Sequence, residues 1–430
     1  MEIMRVSLHR FLQFSGLIAC FSLSGTGTSL AALVLQKVPP LTVEQVPAYP
    51  ENLARSFLGT QIEVDPDSAT TQAKSENSNR AETALLSADP IARYSLSGGS
   101  KTLLVSLSQI ENIDTISFLN HGAKGNVTIS TSSAKLPANS PQWHTVAQQE
   151  LSADAVKAKV GPSEAKYVKL TFNVTEPGSI SSLGIYPTPT VAAFTMPRKR
   201  ASAGSGSFAL VNYSVTDLHA KARALYVSSG HQLNQANNMI DDQPSTVYTF
   251  ASEDAAPTAI IDLGKETKLN RISTIYSPRE GNVEFFVLDS LPGFSPDAAP
   301  KTLRLEDATL ANIKSVGMVP DNGTGHAAID FPEISGRYVM VKWATAKQDS
   351  PFSVAEIAAF GGSKTGNLIA ANTTRAARES VTEGKDFGDG KDFKDFGKEM
   401  PEEAPAEGPP PPLPDPPPFV FTPEVLPTSP

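Results

Sequence analysis

Residues 101–130, KTLLVSLSQIENIDTISFLNHGAKGNVTIS, lie without a gap on residues 257–286, PTAIIDLGKETKLNRISTIYSPREGNVEFF. Gly125-Asn126-Val127 falls on Gly281-Asn282-Val283, and Ile116-Ser117 falls on Ile272-Ser273. The correspondence extends both ways. Upstream, LLSADPIARY (85–94) matches MIDDQPSTVY (239–248). Downstream, AKYVKLTF (165–172) matches GRYVMVKW (336–343), and SISSLGIY (179–186) matches SVAEIAAF (353–360). A unit this long is a whole domain, because solenoid periods run about 20–50 residues. The chain therefore carries one module twice.

Both copies contain short alternating runs between Gly, Pro, Asn and Ser: 101–107, 126–130 and 167–174 in the first, 259–263, 283–288 and 338–343 in the second. That period of two between turn residues predicts an all-β module, an antiparallel sandwich or barrel. Helical periodicity is nearly absent. The first module is placed at 48–187, opening at Glu51-Asn52-Leu53-Ala54-Arg55 and carrying a polar insertion at 65–80 without apolar periodicity. A linker occupies 188–207, and the second module 208–362. From 363 to 430 the composition changes to Lys-Asp-Phe repeats followed by a proline-rich stretch at 409–418, which reads as a disordered spacer.

The 430 residues leave room for two or three domains. A net charge of −9 argues against a nucleic-acid partner, and the one basic cluster, Pro197-Arg198-Lys199-Arg200, falls in the linker. Arg5 and Arg10 followed by apolar residues 11–24 read as an export signal, with cleavage after Ser29-Leu30-Ala31 giving a signal peptide over 1–31. Leu17-Ile18-Ala19-Cys20 supports the other reading, a lipoprotein anchored at Cys20. Either way the expected location is secreted or cell envelope, with no membrane-spanning segment. Cys20 is the only cysteine, so no disulfide is expected.

One constellation carries chemistry. Asp241 and Thr246 lie in the turn Asp241-Asp242-Gln243-Pro244-Ser245-Thr246, and Glu356 lies far away before the closing strand. Calcium takes six to eight hard oxygens, which carboxylates, hydroxyls and carbonyls supply. Where the second module has Asp241, Thr246 and Glu356, the first has Ser87, Ala92 and Ser182. All three are lost together, as one ion's ligands would be, although turn formers on a surface loop are the plainer reading. The six histidines show no zinc spacing, and no GxSxG, HExxH, Walker or Rossmann pattern occurs. Adjacent Asp241 and Asp242 do not form the opposed pair of a glycosidase. Trp143, His144, Tyr276, Arg279 and Trp343 are of sugar-contacting types; Trp343 reads as core, and Tyr276 and Arg279 as residues of a loop able to face a ligand.

Met239–Tyr248 taken with Ala259-Ile260-Ile261-Asp262-Leu263-Gly264, Arg337-Tyr338-Val339 and Ala355-Glu356-Ile357 resembles the discoidin, or coagulation-factor type C, domains of the galactose-binding-like superfamily. The resemblance covers nearly all of the second module and, in degenerate form, the first. It implies two antiparallel jelly-roll β-sandwiches in tandem whose end loops bind glycans, lipid headgroups or proteins. It also implies a structural calcium on Asp241, Thr246 and Glu356, with backbone oxygens near Asn238 and Gln243. Two residues depart from the pattern: Asp242 stands where the family usually has Gly, and Tyr248 where it has Trp. Because Gly reaches backbone angles that Asp adopts less readily, the first departure predicts a pinched turn.

The expected function is that of an exported, non-catalytic binding protein for a carbohydrate or another cell-surface ligand. Two other readings remain: a structural or assembly protein of the envelope with protein partners, and an accessory subunit of a hydrolase.

Overall fold

The computed structural model describes residues 32–65, 71–191, 194, 213–292, 299–345 and 350–361. The expected signal segment with Cys20, most of the linker and the tail lie outside the described residues.

The first module is built from β2 (Gln61–Val64), β3 (Arg93–Leu96), β4 (Gly99–His121), β5 (Lys124–Ser132), β6 (His144–Glu150), β7 (Ala155–Glu176) and β8 (Gly178–Pro187), all paired antiparallel. β4 and β7 serve two layers, and their mutual register breaks between Ser106 and Glu111. Their outer halves join β2, β5 and β6 in one layer; their other halves join β8 and β3 in the second. Leu103, Val105, Ile116, Phe118, Leu170 and Phe172 fill the space between, at alternate positions as a half-buried strand requires.

The second module repeats this plan with β9 (Arg223–Val227), β10 (Tyr248–Thr249), β11 (Thr258–Tyr276), β12 (Glu280–Leu288), β14 (Gly317–Asn322), β15 (His326–Thr345) and β16 (Ser353–Phe360). The sequence correspondence is also a correspondence of register. Leu103 opposes Leu170 as Ala259 opposes Val341, and Val127 opposes Phe172 as Val283 opposes Trp343. Ile116 opposes Ile185 as Ile272 opposes Ala359. The repeated Gly-Asn-Val has a steric cause. A Cβ on Gly125 would stand 2.0 Å from the carbonyl oxygen of Asn173, and one on Gly281 would stand 2.2 Å from that of Ala344. The all-β sandwich expectation holds for both modules.

Two elements differ from the expectation. The stretch 65–80, read as an insertion without helical periodicity, leads into a helix, α1 (Thr71–Leu85). Among its residues 76–85 the buried apolar side chains are Ala81, Ala84 and Leu85, and 76–80 carry none. The second module also recruits a strand from ahead of the first. β1 (Leu33–Lys37) inserts between β9 and β13 (Thr302–Leu305). Fully buried Leu35 joins Tyr226, Ile260, Leu303, Tyr338 and Met340 in a second apolar layer on the outer side of the sheet. Leu310 of α2 (Asp307–Asn312) packs against it. Boundaries of 208–362 therefore leave out one strand of the second sandwich.

Candidate functional site

A 3-10 segment, Leu233–Ile240, buries Ala236, Met239 and Ile240 and ends at Asp241. There the chain turns. Asp241 Oδ1 accepts the Gln243 N–H at 3.0 Å, an Asx turn, while Oδ2 accepts from the Thr246 hydroxyl at 2.8 Å and from Gln243 Nε2 at 3.3 Å. Glu356 reaches the same region from β16, beside Ile275 of β11. Both carboxylates are buried, at 1% exposure for Asp241 and 4% for Glu356, and Glu356 Oε2 has no hydrogen-bond partner.

The electrostatics agree with this placement. Burial pushes the Glu356 carboxyl well above the usual carboxylate range; the charges of Asp241, Asp242 and Asp217 push it further, and Arg55 opposes them. Burial likewise raises Asp241 well above that range, against the hydrogen bonds from Thr246 and Gln243. Among the described residues Arg55 offsets part of this acid at Glu356, and Arg223 stands by Asp217. An unpaired carboxylate out of water costs several kcal/mol, on the order of the figures for buried ions, unless it takes up a proton or a cation.

The first module shows the same turn without the charge. Ser87 Oγ accepts the Asp89 N–H at 2.9 Å, as Asp241 accepts that of Gln243. Ser182, in the place of Glu356, donates its hydroxyl to the Pro90 carbonyl at 3.1 Å. A direct hydrogen bond closes the first turn, where the second holds an orphaned carboxylate oxygen. Two carboxylates and a hydroxyl are hard donors of the kind calcium takes, so the residues present fit that ion. Among the described residues no group of three or more His, Cys, Asp or Glu side chains could hold a metal. The calcium candidate accordingly needs carbonyl oxygens beside its two carboxylates.

Asp242, where the resemblance predicts a pinched turn, adopts the left-handed conformation at φ 55°. An L-residue there is strained by roughly 1–2 kcal/mol. The compensation comes from the first module. Arg55 Nε donates to Asp242 Oδ2 at 2.7 Å, and Nη2 donates to Oδ1. Tyr186 donates its hydroxyl to the Asp242 carbonyl at 2.8 Å. The two modules face one another through equivalent surfaces: Ala88, which corresponds to Asp242, packs on Ala358 and Phe360, and Phe360 corresponds to Tyr186. Asp89 adds bonds from Ser273 and from Arg271, the latter at 3.0 and 2.9 Å. This is the self-complementary arrangement of a two-fold dimer, realised within one chain.

The two expected ligand-contacting residues fare differently. Tyr276 is not a loop residue. It ends β11 on the inward face, is 5% exposed, packs against Trp343 and Phe352, and donates its hydroxyl to Asp321 at 2.7 Å. Alternation from Ile272 through Thr274 carries it inside. Arg279 does lie in the loop after β11, half-buried, with Nη2 donating to the Ser350 carbonyl and hydroxyl and its guanidinium 5.7 Å from the Phe352 ring. Trp343 is core, and Trp143 is buried with its indole N–H on the Pro137 carbonyl.

No family model and no curated protein matches the chain. Solved structures similar to it include the fucolectin of Morone saxatilis serum, at 13% identity over 73% of this chain and 98% of that one, with a TM-score of 0.25. The family 32 carbohydrate-binding module of C. perfringens NanJ, in complex with galactose, is 14% identical over 33% of this chain and 95% of its own, with a TM-score of 0.25. A Ruminococcus gnavus GH29 fucosidase in complex with fucose is 17% identical over 35% of this chain, with a TM-score of 0.28, and the match spans only 27% of the fucosidase. The architecture rests on the strand pairings. Among the described residues no helix is long and apolar enough to cross a membrane.

Proposed function

We propose that the chain is an exported, non-catalytic binding protein that recognises a carbohydrate or another cell-surface ligand through end loops of its second sandwich, with a structural calcium beneath them. The observation that carries the metal reading is the buried Glu356 Oε2, unpartnered beside buried Asp241, where the first module has a closed Ser182–Pro90 hydrogen bond. Asp241, Thr246 and Glu356 hold the ion. It neutralises the excess acid and fixes the turn 241–246 against β16. Arg279 remains as a ligand contact in this reading; Tyr276 acts from the core by supporting Asp321. The binding reading rests on the sandwich architecture together with the discoidin-type motifs in their places on it.

Two measurements on the intact protein test it. Calcium should raise the melting temperature relative to chelator, and Glu356→Gln should abolish that increment while leaving the chelator-treated protein no less stable; an equal increment in the variant removes the metal from Glu356. A glycan array on the calcium-loaded protein should show a selective sugar signal, and an array silent at high protein concentration rejects the carbohydrate reading.

A further inference from the structure

The turn that carries Asp241 is gripped from outside its own sandwich. Ala48 accepts from Gln243 Nε2 at 3.2 Å, and Tyr49 donates to Asn238 Oδ1 at 3.1 Å. Arg55 and Tyr186 hold the side chain and the carbonyl of Asp242, the neighbour of Asp241. Arg55 is itself immobilised on the first module: Nη1 donates to the carbonyls of Ala54 at 2.9 Å and Leu183 at 3.0 Å. Arg55 and Tyr186 belong to the first module, beside Ala54 and Ile185 of its core, whereas Tyr49 packs in the core of the second; none of these partners is among the expected ligands.

We infer that the calcium site is a shared site: the second module supplies the ligands, and the first, through Arg55 and Tyr186, holds their turn in the binding geometry, so that ion binding and docking of the modules reinforce each other. This rests on the metal reading above. Arg55 and Tyr186 are positioning residues. The coupling is reciprocal by thermodynamic necessity. An ion that favours the docked arrangement must tighten the Arg55–Asp242 contact, and loosening that contact must weaken the ion.

The test uses the intact protein and calcium itself. Tyr186→Phe removes one neutral hydrogen bond to Asp242, and Arg55→Lys keeps the charge but not the two-pronged grip. Each should weaken calcium binding by about 3- to 10-fold in a calorimetric titration, the effect of one hydrogen bond. Each should also shrink the calcium-dependent rise in melting temperature, which a merely structural defect leaves unchanged because it lowers the melting temperature equally with and without the ion. In the unsubstituted protein, calcium should slow amide exchange at 183–186, which contributes no ligand. Calcium binding with unchanged affinity in Tyr186→Phe, together with unchanged exchange at 183–186, overturns the coupling and leaves the metal reading standing. No binding by the unsubstituted protein overturns both. If Arg55→Lys does not fold, Tyr186→Phe and the exchange measurement decide.

Discussion

Arg55 of the first sandwich closes on both carboxylate oxygens of Asp242 in the second, and the two side chains are 1% and 10% exposed. Removing one partner of such a pair leaves the other as a bare buried charge, which costs about 3–5 kcal/mol, whereas removing both together costs far less. Arg55→Met should therefore lower stability by about that amount. Adding Asp242→Gly should recover at least half, since glycine takes the left-handed conformation without strain. Urea midpoints of the single and double variants check this. A double variant as unstable as Arg55→Met would mean that the pair is not coupled.

Tyr276→Phe separates a core role from a ligand-contacting one. The hydroxyl is one of several donors to Asp321, which also accepts from the Thr324 N–H at 2.7 Å and the Gly325 N–H at 3.1 Å. Its removal should cost about 1–2 kcal/mol, in the range for a buried hydrogen bond, with ligand affinity unchanged. A fall in affinity at unchanged stability would return Tyr276 to the binding surface.

Acid should weaken the fold through His121. Burial, with the charges of Arg93 and His326, holds its imidazole down at about 4, against a smaller opposing effect of Asp154, and Nε2 meets the Ser181 hydroxyl at 2.8 Å. The unfolded chain takes up this proton first, near pH 6.5. The stabilisation is thus present above that pH and lost as pH falls from about 6.5 to about 4. Discounted for a half-exposed ring, it amounts to roughly 1–2 kcal/mol. His121→Gln should flatten the acid side of the stability profile by that amount; superimposable profiles would show that His121 does not titrate this way.

Leu35→Ala should cost about 2–5 kcal/mol, as for other buried leucines, although it lies outside both expected modules. The loss should appear as weakened hydrogen-exchange protection in 223–227 and 302–305, the strands on either side. Protection unchanged there would show that β1 is dispensable.

The repeat was the most legible feature, because a β-register is set by alternating side chains and those survive divergence. Aligning Leu103 with Ala259 and Phe172 with Trp343 yields the observed pairings. Tyr276 was readable too, by counting in twos from Ile272. Other features were not. β1 is a five-residue run whose partners lie roughly 190 and 270 residues onward, and no local pattern marks so distant a pairing. Arg55 sits in Asn52-Leu53-Ala54-Arg55, where an arginine looks like any surface residue until the other module is docked on it. Asp242 looked like a defect in the turn because the guanidinium that accommodates it belongs to the other copy.

The placement of β1 sets an order of events at the ribosome. Leu33–Lys37 emerges before either sandwich, yet its neighbours β9 and β13 are translated only after the whole first sandwich. The first sandwich can close while the leading strand waits outside it, whereas the second can be completed only by reaching back to a strand ahead of the first. Cutting the chain between the copies would consequently release an early half able to finish its own sheets and a late half missing an interior strand.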